Sequence, residues 1–212
     1  MYEIFLFVNP IGIYCYDTEQ ELRRVIRDLD LEVSFHIIPI SSVAIIKEDV
    51  HRRRCKGQTL ENVSYYTHIA NRALADYHAI KIMYGNKRAR AFLIELQKRI
   101  QYGTDQKTVK LTDKVISDLN MSVTKISELR ETDYVQDSIK QDRKICDQWN
   151  ITKTPTTVIF NEDDATENGV MLEDTVSKDA LNSIFIPDRP QAAGQNEYLN
   201  TNINRTSHLH IL

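Results

Sequence analysis

A cysteine stands near the start of the chain, at the point where a strand is followed by a helix. The apolar run Phe5–Val8 is typical of a buried strand, Pro10 and Gly12 predict a turn, and Cys15 lies at the start of an amphipathic segment. A thiol at a helix N-terminus can act as a nucleophile, because the backbone N–H groups and the helix dipole lower its pKa. The chemistry that this arrangement could perform is thiol–disulfide exchange.

The glycine at position 12 limits that chemistry. A dithiol cycle requires a second cysteine that resolves the mixed disulfide, and Gly12 stands three residues before Cys15. As a sole thiol, Cys15 could form mixed disulfides but could not complete a dithiol cycle. Two interpretations stay open. Cys15 is a structural remnant, which we favour, or it is a reactive single thiol.

Hydrophobic periodicity predicts the strands and helices that must position the cysteine. Strands at Glu3–Val8 and Leu31–Ile38 flank one helix, and such a βαβ unit favours parallel pairing of the two strands. A long stretch of helical periodicity follows. The pattern then returns to strands at Thr156–Asn161 and Gly169–Leu172, and a closing helix comes after them.

This order predicts one domain with an insertion. We expect an α/β domain over residues 1–186, interrupted at about 59–150 by a segment that is helical throughout. Residues 187–212 are rich in Pro, Gln and Asn with isolated apolar side chains, and we interpret them as a mobile tail.

Two local signals are ambiguous. Thr18 with Glu21 resembles a capping box that would start the first helix there, whereas a start nearer Gly12 would leave Thr18 inside the helix. Residues 41–58 are predicted to form a loop or short helix. Their basic run, His51–Arg54, is interpreted as a solvated loop in preference to a contact for an acidic partner or a phosphate.

Composition argues against several classes of function. The net charge is −3 and the pI is about 6.1, so we expect no broad basic face for nucleic acid. The apolar runs are too short to span a bilayer, and the first residues lack the basic region of a secretory signal. We therefore expect a cytoplasmic protein without a membrane segment.

The three cysteines are few, odd in number and widely separated. They predict neither a disulfide framework nor a metal site, and no cofactor is expected. Cys55 follows three arginines that could activate its thiol, although a chance surface cysteine is the interpretation we favour. Cys146 falls on the apolar stripe of a predicted helix and is expected in the core.

The sequence resembles the DsbA-like branch of the thioredoxin superfamily. The segment Phe7–Cys15 stands where that branch has an F-x-D-P-x-C-x-x-C pattern, and Thr154–Phe160 is similar to its cis-proline loop. The resemblance implies an α/β thioredoxin-like fold, βαβ…ββα, with an all-helical insertion. Because Gly12 takes the place of the first cysteine, it also implies a redox centre without its nucleophile.

The resemblance gives Thr154 and Pro155 a role in binding. In the resembled fold the proline is cis and stands opposite the redox motif. The backbone of the residue before it, here Thr154, can pair with an extended substrate peptide. The alternative is a trans proline at the start of an edge strand, and we favour cis. Such a groove could bind a peptide without any thiol.

Within this superfamily the chain resembles the YjbH/SpxH adaptors of Firmicutes, which deliver the redox regulator Spx to the ClpXP protease. The similar segments are Tyr2–Pro10, Leu111–Leu129 and Ile151–Thr156. The resemblance implies a protein-binding adaptor whose partners are an Spx-type regulator and ClpXP. The predicted partner-binding residues are Gly12, Ile13, Tyr14, Tyr16, Thr154 and Pro155.

Other functions stay open beside the adaptor. One is a thiol–disulfide oxidoreductase or isomerase that uses Cys15. Another is a glutathione-dependent transferase, although the serine that activates glutathione in that branch has no counterpart at Gly12. A third is an inactive relative that binds a small ligand between the sheet and the helical insertion.

Overall fold

One mixed β-sheet and the helices around it make up the computed structural model, which describes residues 1–58, 60–102, 109–163, 168–186 and 203–204. The strands are β1 (Tyr2–Val8), β2 (Val33–Pro39), β3 (Thr156–Asn161), β4 (Asn168–Glu173) and β5 (Ile203–Asn204). The helices are α1 (Cys15–Asp28), α2 (Val43–Cys55), α3 (Val63–Tyr84), α4 (Asn86–Tyr102), α5 (Val109–Asp118), α6 (Val123–Arg130), α7 (Asp133–Gln148) and α8 (Lys178–Phe185).

The sheet order is β2-β1-β3-β4-β5. Strand β1 runs parallel to β2 and antiparallel to β3, and β4 is antiparallel to β3. Helix α1 connects the parallel pair, as predicted for a βαβ unit. The antiparallel pair and α8 follow the helical segment, so the predicted order of elements is confirmed.

Side-chain alternation along β1 divides the core into two clusters. Ile4 and Leu6 join the larger cluster, which contains the apolar residues of α1, α3 and α4. Phe5 and Phe7 point to the opposite face, where both rings pack edge-on against Trp149 at centroid distances of 4.9 and 5.8 Å. Both faces of β1 are covered, which explains its uninterrupted apolar sequence.

Helix α1 begins at Cys15, and Tyr14 is its N-cap residue. Thr18 is therefore inside the helix and is buried, so of the two predicted starts the one nearer Gly12 is confirmed and the capping box is not formed. The helix starts earlier because the preceding turn is held by contacts with α2, which are described below.

Residues 43–55 form a helix of 13 residues, longer than the loop or short helix that was predicted. The Ser42 side chain caps it by accepting a hydrogen bond from the Ile45 N–H. The basic run His51–Arg54 therefore lies on a helix, and Arg53 is fully buried. The interpretation of this run as a solvated loop is wrong, because ionic partners inside the protein compensate the charge of Arg53.

Helices α3 to α7 occupy the stretch that was predicted to be helical throughout. Helix α3 runs through the middle of this group, and Asp76 at its centre is fully buried. The Asp76 carboxylate pairs with Arg72 at 2.9 Å and with Arg130 of α6 at 2.7 Å. This buried network joins two helices that are far apart in sequence.

The predicted mobile tail, 187–212, lies outside the described residues except for Ile203 and Asn204, which pair with β4. Within the described ranges, no helix is long and apolar enough to cross a membrane.

Asp76→Ala should lower the free energy of unfolding by about 3–5 kcal/mol, because it leaves Arg72 and Arg130 without their shared buried anion. Urea denaturation monitored by circular dichroism measures this change. The matched control is Asp137→Ala, which removes an exposed pair with Lys140 and should cost less than about 1 kcal/mol. Equal effects of the two substitutions would contradict the assignment.

Candidate functional site

The candidate site lies at the edge of the sheet where β1 ends and β3 begins. Phe7 at the end of β1 is paired with Thr156 at the start of β3. The turn that follows β1 and the loop that precedes β3 are therefore neighbours. The Thr154 side chain lies close enough to the Cys15 thiol to lower its pKa, so the two predicted motifs are neighbours.

The turn after β1 is closed by Asn9. The Gly12 N–H donates to the Asn9 carbonyl at 2.9 Å, and the Ile11 N–H donates to the Asn9 Oδ1 at 3.1 Å. Asn9, Ile11 and Gly12 are all fully enclosed by the protein. This short closed turn places Cys15 as the first residue of α1.

A buried ion pair on α2 holds the same turn from the other side. Asp49 Oδ1 accepts a hydrogen bond from the Ile13 N–H at 3.1 Å, and Asp49 Oδ2 pairs with Arg53 Nε at 2.6 Å. Arg53 also donates to the Ile11 carbonyl, and its guanidinium lies 5.4 Å from the centre of the Tyr66 ring. Sequence reasoning missed this pair, although the i,i+4 spacing of Asp49 and Arg53 was a signal for it.

Arg52, the residue before Arg53, contacts the proline loop. Its Nη1 donates to the Thr154 carbonyl at 2.7 Å, and its Nη2 pairs with Asp174. Its Nε pairs with Glu48 at 3.1 Å, and its guanidinium lies 5.6 Å from the centre of the Tyr14 ring. Arg52 therefore connects α2, the N-cap of α1 and the loop before β3.

The Thr154–Pro155 peptide bond is cis, as predicted. Both residues are buried, and the Thr154 carbonyl already accepts a hydrogen bond from Arg52. One of the two main-chain groups that strand addition would use is therefore engaged inside the protein. Peptide binding at Thr154 stays a prediction.

The Cys15 thiol is buried, with only 1% of the residue exposed. Burial raises its pKa to about 12, against opposing hydrogen bonds from the Asn9 backbone and the Thr154 side chain. At neutral pH the group is a thiol and not a thiolate, so it is a poor nucleophile. The interpretation of Cys15 as a structural remnant stays a prediction, and its burial is consistent with it.

Position 12 keeps the geometry of a cysteine pair. A Cβ added to Gly12 would lie 2.7 Å from the Cys15 Sγ and 3.1 Å from the Asn9 Cβ. In a disulfide, the Cβ of one cysteine lies about 3 Å from the sulfur of the other. The backbone of Gly12 does not have a positive φ, so an L-residue can adopt it. A side chain at position 12 would therefore start directly beside the Cys15 sulfur.

The other two cysteines differ in exposure. Cys55 is exposed, and its Sγ lies 3.7 Å from the His51 Nε2. Cys146 is buried in the core as predicted, and burial raises its pKa to about 12. Within the described ranges, no group of three His, Cys, Asp or Glu side chains could hold a metal ion.

Tyrosines and cations form the accessible edge of the site. Tyr14 and Tyr16 are half-buried, whereas the other predicted partner-binding residues, Gly12, Ile13, Thr154 and Pro155, are buried. The Lys56 Nζ lies 4.4 Å from the centre of the Tyr14 ring, and Tyr16 packs edge-on against the exposed Tyr102 at 5.8 Å. We call Tyr14, Tyr16, Arg52, Lys56 and Tyr102 the rim.

Residues 5–183 match a protein family described as Thioredoxin. The chain belongs to this family. The predicted α/β thioredoxin-like fold of DsbA type is confirmed by the match and by the structural neighbours below. None of the curated proteins matches the chain by sequence.

Solved structures of thiol–disulfide proteins share this fold. A thioredoxin-like oxidoreductase from Silicibacter pomeroyi DSS-3 is 13% identical with a TM-score of 0.58, and the match covers 90% of this chain and 88% of that one. The catalytic domain of ScsC from Proteus mirabilis is 17% identical with a TM-score of 0.57, and the match covers 87% of this chain and 81% of that one. The thiol-disulfide exchange protein alpha-DsbA2 from Wolbachia pipientis is 10% identical with a TM-score of 0.57, and the match covers 86% of this chain and 79% of that one. At these identities the likeness extends to the fold alone.

Alkylation should separate the three cysteines. In the native protein at pH 8, iodoacetamide should modify Cys55 first, and Cys15 and Cys146 should react at least about a hundredfold more slowly because they are buried and protonated. Peptide mass spectrometry after timed quenching gives the three rates. In urea all three should react at similar rates. Native labelling of Cys15 as fast as Cys55 would show that the Cys15 thiol is accessible.

Gly12→Cys should restore a dithiol, because the new side chain starts next to the Cys15 sulfur. Mild oxidation should convert most of the variant to an internal disulfide, which mass spectrometry detects as the loss of two hydrogen atoms. The control is the double variant Gly12→Cys/Cys15→Ser, which cannot form this bond. If both thiols of the single variant stay free under oxidant, the inferred proximity of a position-12 side chain to the Cys15 sulfur is refuted.

Proposed function

We propose that the protein binds a partner protein through the rim of a thioredoxin-type site that has no dithiol chemistry. The observation that carries this proposal is the combination of Gly12 with a buried Cys15 whose pKa is raised to about 12. A nucleophilic thiolate is absent from the position where exchange would begin. What remains at the site is a rigid framework with an aromatic and basic surface.

The chemistry of the rim suits protein recognition. Tyrosine and arginine are the side chains that most often dominate binding energy at protein interfaces. Tyr14 lies between the cations of Arg52 and Lys56, and Tyr16 stacks edge-on with Tyr102. Below the rim, the Asp49–Arg53 pair fixes the turn, so little order has to be gained on binding.

The partner we propose is an Spx-type regulator, which the protein would present to the ClpXP protease in the cytoplasm. Support comes from the similarity of three sequence segments to the YjbH/SpxH adaptors: Tyr2–Pro10, Leu111–Leu129 and Ile151–Thr156. Arg52 of the rim is already paired with Glu48 and Asp174, so the tyrosines of the rim would carry most of the recognition.

One observation favours a second candidate, an oxidoreductase or isomerase that uses a single thiol. The Asn9 backbone, Arg52 and the Thr154 side chain each act to lower the pKa of the Cys15 thiol. These contacts would stabilise a thiolate if a local opening admitted water. Glutathione transfer is less well supported, because Gly12 has no hydroxyl to activate the tripeptide.

Degradation of an Spx-type regulator by ClpXP should accelerate when the protein is added. Cys15→Ser should keep the acceleration, because the proposed binding uses no thiol. Tyr14→Ala should reduce it about tenfold, since an interface tyrosine of this kind contributes more than about 1 kcal/mol. Tyr14 caps α1 without a side-chain hydrogen bond, so its loss should leave the helix intact. Gel-based degradation time courses measure these rates.

The control is Tyr134→Ala, which removes another tyrosine, 75% exposed, at the start of α7. It should leave the rate unchanged. If the unmodified protein gives no acceleration, the adaptor proposal fails. If Cys15→Ser abolishes an acceleration that the unmodified protein shows, the single-thiol candidate takes its place.

A further inference from the structure

A second concave region lies away from the cysteine, between the edge strand β2 and helices α3, α4 and α7. Its cavity has a volume of about 280 Å³ and its apolar lining includes Phe35, Ile38 and Ile145. Cavities that hold small organic ligands in proteins are of this order, since about 150 Å³ is enough for benzene. A molecule with one ring and a small polar group fits this volume.

Three cationic side chains line the cavity. Lys81 comes from the last turns of α3, and Lys87 and Arg90 come from the first turns of α4. Helix α4 begins at Asn86, which also lines the cavity, so the positive end of a 17-residue helix lies at the same place. Among the described lining residues, Asp142 is the one carboxylate.

Arg90 carries a half-buried charge beside the cavity. Its Nη2 is 3.4 Å from the Phe35 carbonyl, and its guanidinium lies 4.9 Å from the centre of the Phe35 ring. Burial and the nearby Arg23 lower the pKa of Arg90, whereas the buried Glu19 and Tyr77 act in the opposite direction. Within the described ranges, neither Arg90 nor Lys87 forms an ion pair. A buried or half-buried cation is stabilised by an anion, so this cavity is suited to one.

The Asp142 carboxylate would repel an anion in the cavity, but its negative charge is reduced. Burial raises its pKa to about 6, and its Oδ1 lies 4.0 Å from the Lys81 Nζ. Its Oδ2 lies 3.6 Å from the Nε2 of the buried His78, whose pKa is lowered to about 3 by burial. Near neutral pH His78 is therefore uncharged, and the two groups together carry no more than the one negative charge of Asp142. The cations of the cavity remain in excess.

We propose that this cavity binds a small organic anion with an apolar body, such as an aromatic carboxylate. The anionic group pairs with Lys87 and Arg90 at the start of α4, and the apolar body packs on Phe35 and Ile145. Neither Cys15 nor the rim takes part, so the inference is independent of the proposed adaptor function.

Amide chemical shifts of the full-length protein test the proposal directly. Benzoate should cause saturable shifts confined to residues 35–38, 81–90 and 142–145, and phenyl phosphate shows whether phosphate replaces carboxylate. Benzyl alcohol, a neutral molecule of similar size, should bind at least about tenfold more weakly, because it lacks the charge-assisted hydrogen bonds. Equal binding of benzyl alcohol, shifts elsewhere, or no shifts at millimolar benzoate would overturn the proposal.

Matched variants identify the cations. Lys87→Gln and Arg90→Gln should each weaken benzoate binding about tenfold. The control is Lys98→Gln, which removes an exposed lysine from the same helix outside the cavity, and it should bind benzoate as the unmodified protein does. Because Lys87 is exposed, its replacement should not disturb folding. Unchanged binding by Lys87→Gln and Arg90→Gln would contradict the assigned site.

The carboxylate gives a test in the opposite direction. Asp142→Asn should tighten benzoate binding at pH 7.5 several-fold, because it removes the carboxylate that lines the cavity and resembles the protonated acid in shape. Lowering the pH through about 6 should tighten binding to the unmodified protein as Asp142 takes up a proton. Weaker binding by Asp142→Asn would refute the proposed electrostatics.

Discussion

The buried ion pair between Asp49 and Arg53 is the contact on which the candidate site depends. Both charges are removed from solvent, and each is compensated by the other and by backbone groups of the turn after β1. Removing one partner of such a pair leaves the other charge buried without a counter-charge, which lowers the free energy of unfolding by about 3–5 kcal/mol. The pair therefore fixes the position of Ile11 and Ile13 relative to α2, and with them the start of α1.

Arg52 extends this control to the loop before β3. Adjacent arginines on one helix thus hold the two halves of the site, since Arg53 contacts the Ile11 carbonyl and Arg52 contacts the Thr154 carbonyl. The alignment of Gly12 with the Cys15 sulfur persists within this frame. The geometry of this edge of the sheet is therefore held by residues other than the cysteine.

Much of the fold could be predicted from local patterns. The strands β1 and β3 follow from apolar, β-branched runs, and the helices of the segment between them follow from their 3.6-residue periodicity. The start of α1 and the length of α2 were harder to predict. The local sequence allowed a helix start at Thr18, but tertiary contacts of the preceding turn place the start at Cys15. Helix α2 has no clear apolar stripe because it buries Asp49 and Arg53 as well as Ile46.

The sequence was sufficient to show that position 12 carries no thiol and that strands and helices alternate in the order of this fold, because both depend on residue identity and short-range periodicity. Burial of the Cys15 thiol, which raises its pKa, required the assembled protein, as did the pairing of Arg52 with Thr154 and the cationic cavity beside β2. Each of these joins residues that are distant along the chain. Solvent exclusion and charge compensation at such contacts arise only when packing brings the segments together.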